Sequence, residues 1–406
     1  MGMMSQVEAI AIAIGQQSSS KPHCTVIALR TGAVALLISM AALFAISPQA
    51  NAAAVNYKFT DLGTLDGSYS YGLGINNTGT VVGFSPTSSA ETEFAAATVW
   101  SGNVRTELGT LGGTFNQAYG INASGHVVGM SHTTANAGVR ATLWNGTTPT
   151  DLGTLGGRFS YAFDINDAGK IVGLSERAGN LSTHATLWDG AATIDLGTLG
   201  GSYSKALGIN SSGQIAGISA ITGNDIFRAT LWDGASTTDL GTLGGSSSEA
   251  HGINDFGQVV GYSYITGDTN WHATLWSGSS VIDLDTLGGS YSKASGINNA
   301  GEVVGGSYLF VNGAQHATLW SAGAMIDLND FLDEDAVAAG WYLNFASGIN
   351  DSGWITGHAT NILTGSIHAF LLSPTTVSEP KSAVLIVAAV AALCLAGRRR
   401  WHAKPS

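Results

Sequence analysis

Along the middle of the chain, short apolar runs alternate with glycine-rich turns, and no apolar stripe recurs at helical spacing. One stretch shows the plan. Gly252-Ile253 leads into Asn254-Asp255-Phe256-Gly257, where Asn suits the start of a tight turn and Gly its left-handed position. Gln258-Val259-Val260-Gly261 follows as the returning arm of a hairpin. A variable stretch from Ser263 to Trp271 precedes a third apolar segment, His272 to Trp276, and a Ser277-Gly278 turn leads to a fourth, Val281 to Leu284. β-Branched residues, turn punctuation and the lack of helical period predict four β strands.

The same plan recurs. DLGTLGG or a variant starts at Asp61, Glu107, Asp151, Asp195, Asp239, Asp283 and Asp327, a first step of 46 residues and then five of 44. The isoleucine of Gly-Ile-Asn stands at 75, 121, 165, 209, 253, 297 and 349. ATLW or a variant ends at Trp100, Trp144, Trp188, Trp232, Trp276, Trp320 and, degenerate, Leu372. Four strands in about 44 residues is the size of one propeller blade. The two ends of the array complement each other: Tyr57 to Leu62 reads as a fourth strand with no blade before it, and the last repeat stops after its third strand. The expected fold is therefore all-β, a seven-bladed β-propeller of four-stranded blades closed by pairing of the N-terminal strand with the last repeat; a β-solenoid is the alternative. The third-strand tryptophans and the aromatics after DLGTLGG (Tyr69, Phe115, Phe159, Tyr203, Tyr291) are expected to fill wedges between blades. The Gly- and Ala-rich approach to Gly-Ile-Asn belongs at the crowded central channel.

Composition fits this and narrows the partners. Gly occurs 55 times, and 44% apolar against 11% charged residues suits a buried core and not disorder. From Ala53 to Thr376 there are 26 Asp and Glu against 9 Lys and Arg, a balance of −17 that would repel phosphate backbones, so no nucleic-acid partner is expected. The two cysteines, Cys24 and Cys394, both lie in terminal segments, leaving the repeats without a disulfide.

The ends read as addresses. Residues 1–52 form a signal peptide with a long leading stretch: an apolar run from Thr31 to Ile46 follows Lys21 and Arg30, and Ala50-Asn51-Ala52 offers small residues to signal peptidase. Residues 53–375 are the repeat domain. In 376–406, Ser382 to Gly397 is a nearly pure apolar segment, spanning roughly 24 Å at about 1.5 Å per residue, with Arg398, Arg399 and Arg400 as a cytoplasmic stop. A membrane-anchored chain, then a cell-surface or extracellular one, is expected.

Two resemblances follow from these residues. The motif Val377-Ser378-Glu379-Pro380, the apolar helix and the arginine cluster resemble the PEP-CTERM sorting signal, although Ser378 stands where that family usually has Pro and Lys381 follows. The resemblance implies processing by an exosortase-type enzyme. The repeats resemble the HAF family of bacterial extracellular repeat proteins, through His368-Ala369-Phe370 and the His-Ala-Thr at His184, His272 and His316. That resemblance implies export and repetition and attaches no biochemical activity.

Candidate chemistry is thin. His184, His272, His316 and His368 share a slot with Arg140 and Arg228, and a metal ligand that Arg replaces is no ligand, so a donor holding a strand carbonyl or the DLG aspartate is expected. The repeated aspartates Asp61, Asp151, Asp195 and Asp239 read as scaffold. Asp167, Asp255 and Asp351 sit in Asn-Asp-x-Gly turns but lack the dense oxygen loop of a calcium site. Asp333, Glu334 and Asp335, with Trp341 and Tyr342, lie in an eight-residue insertion between Asp327 and Ser347; adjacent carboxylates cannot form a facing dyad, so a solvated acidic loop is expected. No catalytic residue, metal or cofactor is assigned. Recognition belongs where repeats differ, in the loops Ser175 to Thr183, Ser219 to Phe227, Ser263 to Trp271 and Ser307 to Gln315. There, Tyr262, Tyr264 and Trp271, with Tyr308 and Phe310, are the candidate aromatics for stacking on sugar rings; packing on the rim is the alternative. The expected role is a surface or matrix scaffold that binds polysaccharide or another surface protein. The alternative is a propeller-type glycan hydrolase or lyase, which would need a unique set of acidic or His residues at the channel mouth.

Overall fold

The computed structural model describes residues 56–87, 95–179, 182–310 and 313–375. The leader 1–52 and the sorting tail 376–406, with Val377 to Pro380 and the arginines, lie outside the described residues. Among the described residues no helix is long and apolar enough to cross a membrane.

The chain is all-β, built on antiparallel four-strand meanders. A representative one runs Gly244–Ile253, Val259–Ile265, Trp271–Ser277 and Ser280–Asp283, each strand hydrogen-bonded to the next. Four sheets have four strands. A fifth has twelve and consists of three such meanders joined by single parallel pairings, Phe159 with Val139 and Tyr203 with Thr183. One four-stranded sheet joins the two ends of the repeat region: Asn56–Asp61 pairs antiparallel with Ile367–Thr375, from Asn56 opposite Thr375 to Asp61 opposite Phe370.

The recurring sequence columns explain the geometry. Asn254 Oδ1 accepts from the amides of Phe256 and Gln258, closing the hairpin, and Gly257 takes φ +72°. In the returning strand, Gly261 faces a bulge between Ala250 and Gly252; a Cβ there would stand 1.9 Å from the Glu249 carbonyl oxygen. The glycine lets two backbones touch.

The core lies between successive meanders. Val172 and Ala185 of one pack against Ala206, Ile209, Ile215 and Trp232 of the next. Leu62, Val81 and Trp100 at the start of the repeat region pack on Ala369 at its end. Each buried tryptophan contributes roughly 2 kcal/mol or more by area.

Three expectations need correction. The aromatics after DLGTLGG do not fill the wedges. In Gly200–Ile209 the inward positions are Ser204 and Ala206, and Tyr203, one residue off in a period of two, faces the other way and is half-buried. Phe159, Tyr203 and Tyr291 instead bridge in parallel to the third strand of the preceding meander, and Tyr69 to that of the last, while Phe115 packs on His132. Next, the loops between second and third strands are shorter than expected: strands extend to Arg177, Ile221, Ile265 and Tyr308, and Ser175, Ser219, Ser263 and Ser307 are fully buried. Each of these serine hydroxyls accepts from a leucine amide, as Ser263 does from Leu243 at 2.8 Å, so the column is structural.

The third correction is the insertion, which folds. Leu328–Phe331 is a 3-10 turn and Glu334–Ala338 a short helix, with Asp333 capping by accepting from the Ala336 amide. Asp333, Glu334 and Asp335 are exposed, as expected of a solvated acidic stretch, while buried Leu328, with Phe331 and Leu332, packs on the core. Trp341 and Tyr342 open the strand Trp341–Ile349, Trp341 lying 5.0 Å from His368 and 6.0 Å from Phe59 between ring centroids.

Candidate functional site

The first strands of all the meanders line a common cavity, and its two ends differ. At the Asn-x-x-Gly end, about 210 Å³ is enclosed by repeated Ile-Asn pairs. Each asparagine side chain donates to the next one's carbonyl: Asn76 to Asn122, on through Asn166, Asn210, Asn254 and Asn298 to Asn350, and Asn350 back to Asn76, at 2.8 to 3.3 Å. The expected turn aspartates cap this circuit. Asp167 accepts from the Ala123 amide, Asp255 from Ser211 and Asp351 from Asn299. Hydrogen bonds from Ser211 hold the Asp255 carboxyl below its usual range.

The repeated His slot is equally structural. His184, His272, His316 and His368 each turn Nδ1 toward the DLG aspartate, at 2.7 Å for Asp195 and 2.9 Å for Asp283, with Asp327 and Asp61 completing the set. Arg140 and Arg228 reach Asp151 and Asp239 at 3.6 and 3.8 Å. The same aspartates accept from a backbone amide two residues on, as Asp195 does from Gly197 at 2.8 Å. One carboxylate thus caps its own turn and receives the slot's donor.

At the opposite end the cavity holds about 430 Å³, and its lining is not repeated. The column of Gly74, Gly120, Gly208, Gly252, Gly296 and Gly348 carries Asp164 once. Asp164 accepts from the Ile165 amide at 2.8 Å and, across to the next meander, from the Ile209 amide at 2.9 Å. Burial, partly offset by those two amides, pushes its carboxyl up to about 6. Leu73, Tyr119, Phe163 and Leu207 give way to His251, then Ser295 and Ser347. Two residues earlier in the strand, Tyr71, Gln117 and Tyr161 give way to Lys205, Glu249, Lys293 and Phe345.

These changed positions meet. His251 Nε2 is 3.6 Å from a Glu249 oxygen, an electrostatic contact longer than a hydrogen bond. Burial lowers His251 to about 4, against the pull of Glu249 and with help from Lys293 and Lys205, so its ring is neutral near pH 7. Burial alone would raise Glu249, but the His251 ring, the Tyr262 hydroxyl and the Lys293 ammonium outweigh it and keep the carboxylate ionised. Burial and then Glu249 push the Tyr262 hydroxyl upward. Lys293 lies over the Tyr262 ring at 5.5 Å and Lys205 over Phe163 at 4.2 Å; burial lowers both ammonium groups.

The sequence-predicted aromatics join this cluster in part. Tyr262 stacks on His251 at 5.9 Å and lies 6.2 Å from Trp271; Tyr264 is 5.6 Å from Trp271. Trp271 meets Tyr291 at 4.0 Å, and Tyr291 meets Tyr308 at 6.0 Å. A continuous, half-buried run of rings therefore leads from His251 outward. These side chains stand on strands and not in loops, because the strands run longer than the turn signals indicated. Phe310 is not brought in: it is 71% exposed in the following turn.

Asp164, Lys205, Glu249, His251, Lys293 and Tyr291 are absent from the sequence-based site. For all but Tyr291, which belongs to the repeated aromatic column of Tyr69 and Tyr203, the signal was a departure at a fixed column: Asp164 among glycines, His251 among Leu, Tyr and Phe, and Lys205, Glu249 and Lys293 in the column of Tyr71.

No family profile matches the chain, and no curated protein does. Solved structures do match. One is a Trypanosoma rangeli sialidase in complex with sialic acid, 11% identical with a TM-score of 0.38, the match covering 79% of this chain and 59% of that one. A likeness of that order says nothing of ligand or activity.

Proposed function

We propose that the repeat region is a closed, seven-bladed β-propeller, exported and held at the cell surface, that acts as a binding scaffold for extracellular polysaccharide. Support for the ring is the asparagine circuit that returns to its start, together with the pairing of Asn56–Asp61 with Ile367–Thr375. Similarity to HAF repeats and to a PEP-CTERM tail supports passage through signal peptidase and an exosortase-type enzyme, with the C-terminal helix as membrane anchor. No catalytic residue and no cofactor belong to this function.

One observation carries the binding role. The aromatic run from Tyr262 to Tyr308 starts at the non-repeated polar cluster, where Tyr262 meets His251 at the wider end of the cavity, and leads outward from it as half-buried rings that offer faces for sugars at little entropic cost. The test is a pull-down of the purified chain on exopolysaccharide, with Trp271→Ala expected to lose most retention while its thermal transition stays put. Equal retention of the variant would refute the site.

Glu249, His251 and Tyr262 favour a second reading, a glycan-active enzyme, since they are the single-copy acid and His that such chemistry requires. Against it stands the state of the groups: Glu249 is held ionised, His251 Nε2 is buried, and both Asp164 oxygens are engaged by amides. Turnover of a glycan panel that disappears in Glu249→Gln would establish the enzyme.

A further inference from the structure

The cations of this acidic chain are not used alike. Arg140, Arg158, Lys170, Arg177 and Arg228 each lie 3.1 to 3.8 Å from a carboxylate. Lys205 and Lys293 enter no ion pair among the described residues. They lie over aromatic rings instead, share the single Glu249 carboxylate at a distance, and flank a neutral His251. Two carboxylates, Glu249 and Asp164, offset these two ammonium groups in number, but both Asp164 oxygens are taken by the Ile165 and Ile209 amides and Glu249 is met by His251 and Tyr262, so neither lysine has a carboxylate in contact at the wider end of the cavity, which Lys293 lines and Lys205 adjoins through Phe163. The desolvation cost of half-burying two lysines is not recovered by any carboxylate of the chain in direct contact.

From this we infer that the wider end of the cavity is a subsite for an acidic saccharide, a glycan whose sugars carry carboxylates, with Lys205 and Lys293 receiving the charge and Tyr262, Trp271 and Tyr291 receiving the sugar faces. This rests on the polysaccharide-binding role proposed above and narrows its ligand. Charge and rings belong to one patch, because Lys293 lies directly over the Tyr262 ring that begins the aromatic run. An acidic polypeptide would engage the lysines but has no regular apolar face to lay on the rings. A neutral glycan would use the rings and leave the lysines unpaired.

Calorimetric titration of the full chain with three probes separates these cases: an oligogalacturonate, its fully methyl-esterified form, and polyaspartate of similar length. The acid oligosaccharide is expected to bind at least tenfold more tightly than its ester and to weaken severalfold between low and physiological salt. Lys205→Gln with Lys293→Gln is expected to remove that tenfold preference, so that acid and ester bind with similar affinity. Should the double variant not fold, Lys293→Gln alone carries the same expectation at smaller size. Equal affinity for acid and ester overturns the charge selection and leaves glycan binding standing. Polyaspartate binding as tightly as the oligogalacturonate overturns the saccharide assignment in favour of an acidic protein partner. Binding of none of the three overturns both the inference and the function beneath it.

Discussion

The two ends of the central cavity are built on the same strands yet obey different rules. At the narrower end every repeat contributes the same Ile-Asn pair, every asparagine makes the same two kinds of bond, and each side chain is spoken for. At the wider end the same strands, a few residues earlier, carry Tyr, Gln, Lys, Glu or Phe in one column and Leu, Tyr, Phe, His or Ser in the next. Repetition therefore marks what the architecture needs from each unit. Departure from it, concentrated in three adjacent repeats, marks where the chain does something an identical set of units could not.

The largest effects are expected where the architecture is repeated or joined. Deleting Asn56–Asp61 exposes the whole edge of Ile367–Thr375 and removes Tyr57 from the core, so loss of a cooperative unfolding transition is expected, on the order of the full 5–15 kcal/mol of a domain. A deletion variant that melts like the parent would break the ring. At the narrower end, Asn254→Ala leaves the Asn298 carbonyl and the Phe256 and Gln258 amides without their partner and should cost about 2–4 kcal/mol by denaturant unfolding. Lys293→Gln at the wider end should shift the same curve by under about 1 kcal/mol, since the ammonium has no direct ion pair to lose. A reversal of that order would mean the wider end is scaffold too.

Much of this was legible in the chain, and the rest was hidden for physical reasons. Four strands per repeat and the Asn-x-x-Gly hairpins follow from local chemistry and spacing, and of the two partners these left open for the His slot, a strand carbonyl or the DLG aspartate, the structure shows the aspartate. The parity of Tyr203 against Ser204 was not legible, because a strand's face assignment depends on where its bulge falls, and Gly208 lies beyond one. Strand extension past the turn signals at Tyr264 and Trp271 was hidden likewise, since the antiparallel pairing of these two residues within the meander overrides local propensity. The polar cluster escaped because Lys205, Glu249, His251 and Lys293 come from three repeats; singly each reads as surface substitution, and only the packing of neighbouring first strands brings the other three within electrostatic reach of His251.

A pH scan sharpens the contrast at intermediate scale. Burial holds His251 and His358 at about 4 in the fold, below the ordinary 6.5. The unfolded chain therefore takes up protons first, and the stability these rings confer is complete above pH 6.5 and is lost as pH falls toward 4. From pH 7 to 5 each should cost on the order of 1–2 kcal/mol. Asp164 works the other way: its carboxyl, raised to about 6, favours the fold as pH drops from 6 toward 4 and offsets part of the loss. His251→Leu should flatten the acid limb of the stability curve. An unchanged limb would mean that His251 is solvated in the native state.

The smallest expected effect probes a repeated slot directly. His and Arg alternate there because all that is asked is a donor within reach of the DLG aspartate, whose other role, accepting a turn amide, is independent of the donor's identity. Arg140 lies 3.6 Å from Asp151 with both partners partly solvated, a geometry worth little. Arg140→His should therefore change unfolding free energy by less than about 0.5 kcal/mol at pH 7, with the Asp151 turn kept by its Gly153 amide. Asp151→Ala, which removes the acceptor from that amide and the counter-charge from Arg140, should cost about 1–2 kcal/mol. If instead the exchange at 140 costs more than the loss of Asp151, the slot is tuned to its own repeat, and the narrow division between a repeated scaffold and a varied site would have to include it.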